Sequence, residues 1–154
     1  FLRLIHYVLC SKTAYVRDTQ DHVAAHSSAG CCWYVYGRFY GLWKEKMMPL
    51  LLAAATGIDY TEENVELVGE RAYNLERLFL LRAGFTSADD TLPDRILKQP
   101  LLKDDAEGQV PRLDVLLPEY YELRGWDKNG VPTPEKLAQL GLTEEGGVYC
   151  LELK

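Results

Sequence analysis

The residues best suited to chemistry are four cysteines, Cys10, Cys31, Cys32 and Cys150, and three histidines, His6, His22 and His26. A thiolate is a soft ligand and a nucleophile, and an imidazole is a base or a metal ligand near neutral pH. Cys31 and Cys32 are adjacent, which suits neither a secreted disulfide framework nor a zinc site built on C-x-x-C, so a reducing, cytoplasmic setting is expected. Cys10 and Cys150 read as small buried hydrophobes. His22 and His26 stand four apart and can share a helix face, but Val23 and Ala24 occupy the middle of what would be an H-E-x-x-H metal motif. All three histidines are therefore read as structural or surface residues. Asp89 and Asp90 could form a carboxylate pair, yet adjacent side chains point apart, and acidic groups near a helix start serve capping. Asp127-Lys-Asn-Gly130 resembles the opening of a calcium loop without its remaining ligands or closing glutamate, and reads as a turn. Gly69, Gly84 and Gly108 form no phosphate-binding pattern. Taken alone, these residues identify no activity, and no catalytic residue is assigned.

The elements that must position them are helical. Thr61 can cap a helix whose first turn carries Glu62 and Glu63. Val65, Val68, Ala72, Leu75 and Phe79 then recur at spacings of three and four, which predicts one apolar stripe, and Gly84 is placed to end the helix. Between Cys31 and Ala55, Pro49 predicts two helices, with Pro49 in the first turn of the second and Gly57 after its end. Gly37 and Gly41 lie four apart, and ordinary core packing is the reading for them. Pro93 and Pro100 bracket a short helix, and Lys103 to Arg112 reads as an exposed loop. Asp114 can start a helix through Tyr121 that stops at Gly125. Asn129-Gly130 makes a turn, Thr133-Pro134 opens a helix ending at Gly141, and Val148 to Leu153 forms a short, extended tail. The class is all-α, an irregular multi-helix domain covering residues 1–154.

Composition excludes several functions. With 47% hydrophobic and 26% charged residues, the 154-residue chain can build a globular core. A net charge of −6 argues against a nucleic-acid partner, because phosphate binding needs a concentrated Lys/Arg surface. No apolar run approaches the roughly 20 residues that span a bilayer. Arg3 and His6 interrupt the apolar opening Phe1 to Cys10, which is read as a core helix rather than a secretory leader. The missing initiator Met is compatible with a fragment or a processed chain.

Two blocks carry a resemblance. One is Arg71-Ala-Tyr-Asn-Leu-Glu-Arg-Leu-Phe-Leu-Leu-Arg-Ala-Gly-Phe85, followed by Asp90-Thr-Leu-Pro-Asp-Arg95, and the other is Tyr120-Tyr-Glu-Leu-Arg-Gly-Trp-Asp127. From about Ser27 to Leu142 the chain resembles the C-terminal helical part of the tungsten-containing aldehyde:ferredoxin oxidoreductase family. That family carries a D-x-x-G-L-C motif that contacts the pterin of the tungsten cofactor and ends in a cysteine ligand of a [4Fe–4S] cluster. Aligned on Gly30, the segment Ser27-Ser-Ala-Gly-Cys-Cys32 places Cys32 as the metal ligand, with Ser27, Gly30 and Cys31 as cofactor-binding positions. A thiolate is the natural ligand for cluster iron, and a glycine two residues earlier lets backbone approach a flat cofactor. Ser27 stands where the family has aspartate, Cys31 where it has leucine, and Leu80 where asparagine is expected. Glu70, Arg71, Arg77, Arg82 and Arg95 are expected to knit helices together as ion pairs rather than to meet substrate.

The resemblance implies that the chain belongs to a larger enzyme that oxidises an aldehyde to a carboxylic acid. It would use a tungsten (or molybdenum) bis-pterin and a [4Fe–4S] cluster, with ferredoxin as electron acceptor. The family's other three cluster cysteines come from an upstream C-x-x-C-x-x-x-C segment, and its pterin-cradling domain is upstream too. The isolated chain is therefore expected to be inactive and to hold neither group, since one thiolate cannot hold four irons. Its expected partners are those upstream domains. Trp33-Tyr-Val-Tyr36 and Phe39-Tyr40 are expected to pack on them or on the cofactor and, uncovered, to favour a homo-oligomer. Cys32 is expected near the start of a helix, where the dipole makes it the more reactive thiol of the pair. The alternative is a stand-alone helical interaction or assembly domain without cofactor.

Overall fold

The computed structural model describes residues 2–32, 47–100 and 110–143, with side chains in the first stretch described from Thr13 onward. Six α-helices run through these residues: α1 (Leu2–Ser28), α2 (Met47–Thr56), α3 (Glu62–Arg82), α4 (Asp94–Lys98), α5 (Leu113–Arg124) and α6 (Pro134–Gln139). A short 3-10 turn, Ser87–Asp89, precedes α4. Among the described residues there is no strand, only an isolated bridge between Trp126 and Pro132, and the class is all-α. The expectations for Cys10, Cys150, His6, Gly37, Gly41, the aromatics between Trp33 and Tyr40, the Val148–Leu153 tail and most of the Lys103–Arg112 loop lie outside the described residues or side chains.

Local sequence explains where helices begin and stop. The Thr61 hydroxyl accepts from the Asn64 amide and Asn64 Oδ1 accepts from the Thr61 amide, a reciprocal capping box that satisfies two end donors of α3. Thr133 caps α6 through the Lys136 amide, with Pro134 in its first turn. At the other ends, Gly84 and Gly125 take up φ of +94° and +67°, the left-handed conformation that closes a helix at little cost only for glycine. Pro49 sits in the first turn of α2 and Gly57 follows its last residue, as the sequence requires.

Packing centres on α1 against α3, with α5 on α1 and α2 on α3. The crossing of α1 and α3 is set by Gly69, where an added Cβ would lie 2.0 Å from the Asp21 carbonyl oxygen. Ala25, Met48 and Val65 form a small apolar cluster joining α1, α2 and α3, with Leu52 and Tyr60 packed on it. The apolar stripe expected on α3 holds only in its first half. Val65 is buried, but Leu75 and Phe79 are 36% and 66% exposed, and the buried positions further along are Asn74 and Arg77. The reason is a polar interior: α5 and the residues after it offer hydrogen-bond partners to that face of α3, so its buried side turns away from the stripe.

Candidate functional site

The Ser27–Cys32 segment is the C-terminal end of α1 and the turn that follows it. Ser28 donates to the Ala24 carbonyl at 2.8 Å, Gly30 N–H to Ser27 O at 3.0 Å, and Cys31 N–H to His26 O at 2.9 Å. Gly30 has φ +72°, so the chain reverses there in the left-handed conformation, with nothing within 4 Å of where its Cβ would lie. Ser27, Gly30 and Cys32 are exposed, whereas Cys31 is half-buried and packs on the Ala25–Met48–Val65 cluster. Both cysteines are free thiols. The segment therefore follows a helix end, and the helix start expected at Cys32 lies outside the described residues.

Those features bear on the implied groups. A single exposed thiol beside open backbone at a glycine fits one ligand to a cluster and one edge of a flat cofactor. Ser27 fits less well, because its hydroxyl is shorter than a carboxylate and carries no charge. Among the described residues, no three His, Cys, Asp or Glu side chains converge well enough to hold a metal ion. Further iron ligands would have to come from elsewhere in the protein.

The polar chemistry of the interior serves the fold. Arg124, 0% exposed, is the hub: Nη1 pairs with Asp21 Oδ1 at 2.5 Å, Nη2 donates to Gln20 Oε1 at 2.9 Å, and Nε donates to Tyr120 Oη at 3.0 Å. Its guanidinium also lies 4.1 Å from the Tyr73 ring centre. A second hub is Arg77, which grips both Asp90 oxygens at 2.7 and 2.6 Å and donates through Nε to Gly130 O at 2.8 Å. The Tyr121 hydroxyl donates to the same Asp90. Asn74 Oδ1 accepts from Trp126 Nε1 at 2.8 Å, Lys136 pairs with Glu70 at 2.5 Å, and Arg71 Nε donates to Leu140 O at 2.7 Å.

Two aspartates paired with arginine, Asp21 buried and Asp90 half-buried, respond in opposite directions. At Asp21 burial dominates and pushes the carboxyl up, against the pull of Arg124. Burial is also the largest single influence on Asp90, but the hydrogen bonds from Arg77 and Tyr121, together with the Arg77 charge, outweigh it and hold this carboxyl below its ordinary range. Burial likewise pushes the Tyr121 phenol up, helped by its bond to Asp90. With its donors and acceptors engaged in this way, the Arg77–Asp90–Tyr121 group is a structural clasp rather than an acid or base poised for catalysis. It lines a groove of about 460 Å³ together with Val16, Leu80 and Leu116.

Sequence reasoning anticipated this role for Arg77 and Glu70. Arg71 bonds a backbone carbonyl instead of an acid, while Arg82 and Arg95 are exposed. Reasoning from sequence missed Arg124, Asp21, Asn74 and Trp126. Asp89 caps the 3-10 turn by accepting from the Thr86 amide at 2.8 Å, whereas Asp90 points away to Arg77. His22 and His26 do share a face of α1, with ring centres 5.8 Å apart.

Fold and site together define a helical domain that spends its interior charge on cohesion and presents one thiol beyond a glycine turn. The chain belongs to the aldehyde ferredoxin oxidoreductase family: the family model for domains 2 and 3 of that enzyme matches residues 5–142. It is 44% identical over 126 residues to the tungsten-containing aldehyde ferredoxin oxidoreductase of Pyrococcus furiosus, covering 81% of this chain and 20% of that protein. The corresponding Pyrococcus abyssi protein is 39% identical over 140 residues, covering 90% of this chain and 22% of the relative. A more distant relative, the WOR-like subunit of an aliphatic sulfonate oxidoreductase from Pyrococcus furiosus, is 31% identical over 100 residues, 59% of this chain and 16% of that protein. The chain thus spans about a fifth of the length of the tungsten enzymes it matches. Among the described residues, no helix is long and apolar enough to cross a membrane.

Proposed function

We propose that this chain is the C-terminal helical domain of a cytoplasmic tungstopterin and [4Fe–4S] oxidoreductase. In the intact protein it would oxidise an aldehyde to a carboxylic acid and pass electrons to ferredoxin. Residues 1–154 form one domain in this reading, and upstream domains supply the remaining cluster cysteines. The observation that carries it is the placement of Cys32, exposed two residues beyond the left-handed Gly30 and next to an inward-facing Cys31. The relatives' names support the tungsten and aldehyde parts.

Within that enzyme Cys32 would be the iron ligand. The backbone at Gly30 and Cys31 would lie along the pterin, and Ser27 would offer a hydroxyl to its edge. The metal–pterin centre supplies the two-electron redox chemistry and the cluster its one-electron relay. This domain's own residues contribute support. The hydrogen bond from Cys31 N–H to His26 O and the α1–α3 crossing hold the turn, and the Arg124 hub holds α1.

The test uses the full-length gene product. Iron and tungsten in the purified protein, aldehyde-dependent reduction of ferredoxin, and loss of cluster absorbance in Cys32→Ser but not Cys31→Ser are expected. If Cys31→Ser loses the cluster and Cys32→Ser keeps it, the register is wrong by one residue and the roles of Ser27 and Gly30 fall with it. One observation favours a second reading, an assembly domain without cofactor: Ser27 stands where the motif has aspartate. A stable full-length protein free of iron and tungsten would decide for that reading.

A further inference from the structure

Two adjacent thiols next to a cluster site raise the question of how only one is offered. We infer that Cys31 is a positioning residue for Cys32: its side chain is an inward anchor that α2 clamps, and that anchoring turns its neighbour outward. The inference rests on the reading of Cys32 as the cluster ligand, and its test separates the two.

Three restraints act on Cys31. Its amide is tied to His26 O at 2.9 Å across the Gly30 reversal. Its thiol lies 3.8 Å from the Ala29 carbonyl, in reach of a weak S–H···O contact. Its side chain packs on Ala25, Met48 and Val65, one residue from each of α1, α2 and α3. With amide and side chain both fixed on the domain side, the backbone direction at residue 32 is set, and Cys32 is exposed. A half-buried thiol packed against an apolar cluster is less accessible to a reagent or to iron than its exposed neighbour. α2 thus acquires a role that its sequence, Met47–Thr56, does not advertise: through Met48 it supplies part of the apolar cluster on which the anchor packs.

The experiment is timed alkylation of the full-length protein, stripped of iron by chelation and read by peptide mass spectrometry. It is run beside iron content, electron paramagnetic resonance and midpoint potential of the loaded protein. Cys32 is expected to label on the order of tenfold or more faster than Cys31, and Met48→Ala to narrow that ratio by exposing Cys31. Cys31→Leu, which keeps an apolar anchor, should retain iron and the wild-type resonance. Cys31→Asp, which drives the anchor out of the cluster, should shift the resonance and potential and lose iron although Cys32 is intact. Equal labelling of the two thiols, or a Cys31→Asp protein with unaltered resonance and iron, overturns the inference. If Cys31→Asp fails to fold, the labelling ratio and the Met48→Ala effect still decide. If Cys32→Ser keeps its iron while the labelling ratio stands, the cluster reading has failed and the anchoring has not.

Discussion

Arg124 is the fully buried residue that ties α5 to α1. Its fork reaches Asp21, Gln20 and Tyr120, and its face lies against Tyr73, a combination a lysine cannot copy because an ammonium has neither a plane nor a fork. Removing one member of a buried pair leaves the other charge stranded, which costs about 3–5 kcal/mol. Arg124→Met should therefore lower the denaturant midpoint strongly, and Asp21→Asn less, because burial already pushes the Asp21 carboxyl up toward its neutral form. Equilibrium urea unfolding measures both, and equal losses would contradict the ranking. Sequence alone hid this residue. Arg124 falls in the last turn of α5, where a cation is expected on dipole grounds, and its carboxylate partner is 103 positions away. The proposal for Cys32 rests by contrast on local spacing from Gly30. The inward turn of Cys31 required the partners Met48 and Val65.

At the scale of elements, the helix boundaries were readable because caps are local chemistry: Thr61, Thr133, Gly84 and Gly125 act within a few residues. The buried face of α3 was not, because it follows Trp126, Gly130 and Asp90 rather than its own apolar spacing. Gly69 makes the same point energetically. In an open helix, glycine to alanine gains roughly 0.5–1 kcal/mol. Here the new Cβ would meet Asp21 backbone at 2.0 Å, so Gly69→Ala should destabilise by about 1–3 kcal/mol as α1 and α3 are forced apart. A thermal midpoint equal to or above wild type would show that the crossing has slack.

The same pair of helices carries an acid sensitivity. Burial pushes His22 and His26 below the ordinary value of 6.5, with Glu66, Asp18 and Glu62 opposing it at His22 and the neighbouring imidazole reinforcing it at His26. A lowered folded value means the unfolded chain binds more protons, so this contribution is full above 6.5 and is lost as pH falls below it. Asp90 adds a second loss at lower pH, as its depressed carboxyl is finally protonated. Urea midpoints should fall between about pH 7.5 and pH 5.5, and His26→Gln should flatten that slope. A slope unchanged in the variant would assign the acid response elsewhere.

For the whole molecule, the relevant fact is that this chain is about a fifth of its tungsten-containing relatives. Phe79 and Tyr15 are 66% and 70% exposed, and Ile58 is exposed as well. Large apolar side chains left open on one part of a larger protein are natural contact points for the rest. Hydroxyl-radical footprinting should find Phe79 protected in the full-length protein relative to this chain alone, and equal oxidation in both would remove it from any interdomain contact.

The bonds between α1 and α5 also bear on how the protein is made. Thr13 bonds Glu119, Gln20 bonds Tyr120, and Asp21 meets Arg124, all across a hundred positions or more. A ribosome delivers α1 and its cysteine turn before those three partners. Until α5 emerges, Asp21 lacks its Arg124 partner, and α1 has only its packing on the helices before α5. The helix that carries the cysteine turn thus gains its full set of side-chain bonds only after α5 has emerged, well after the turn itself is translated.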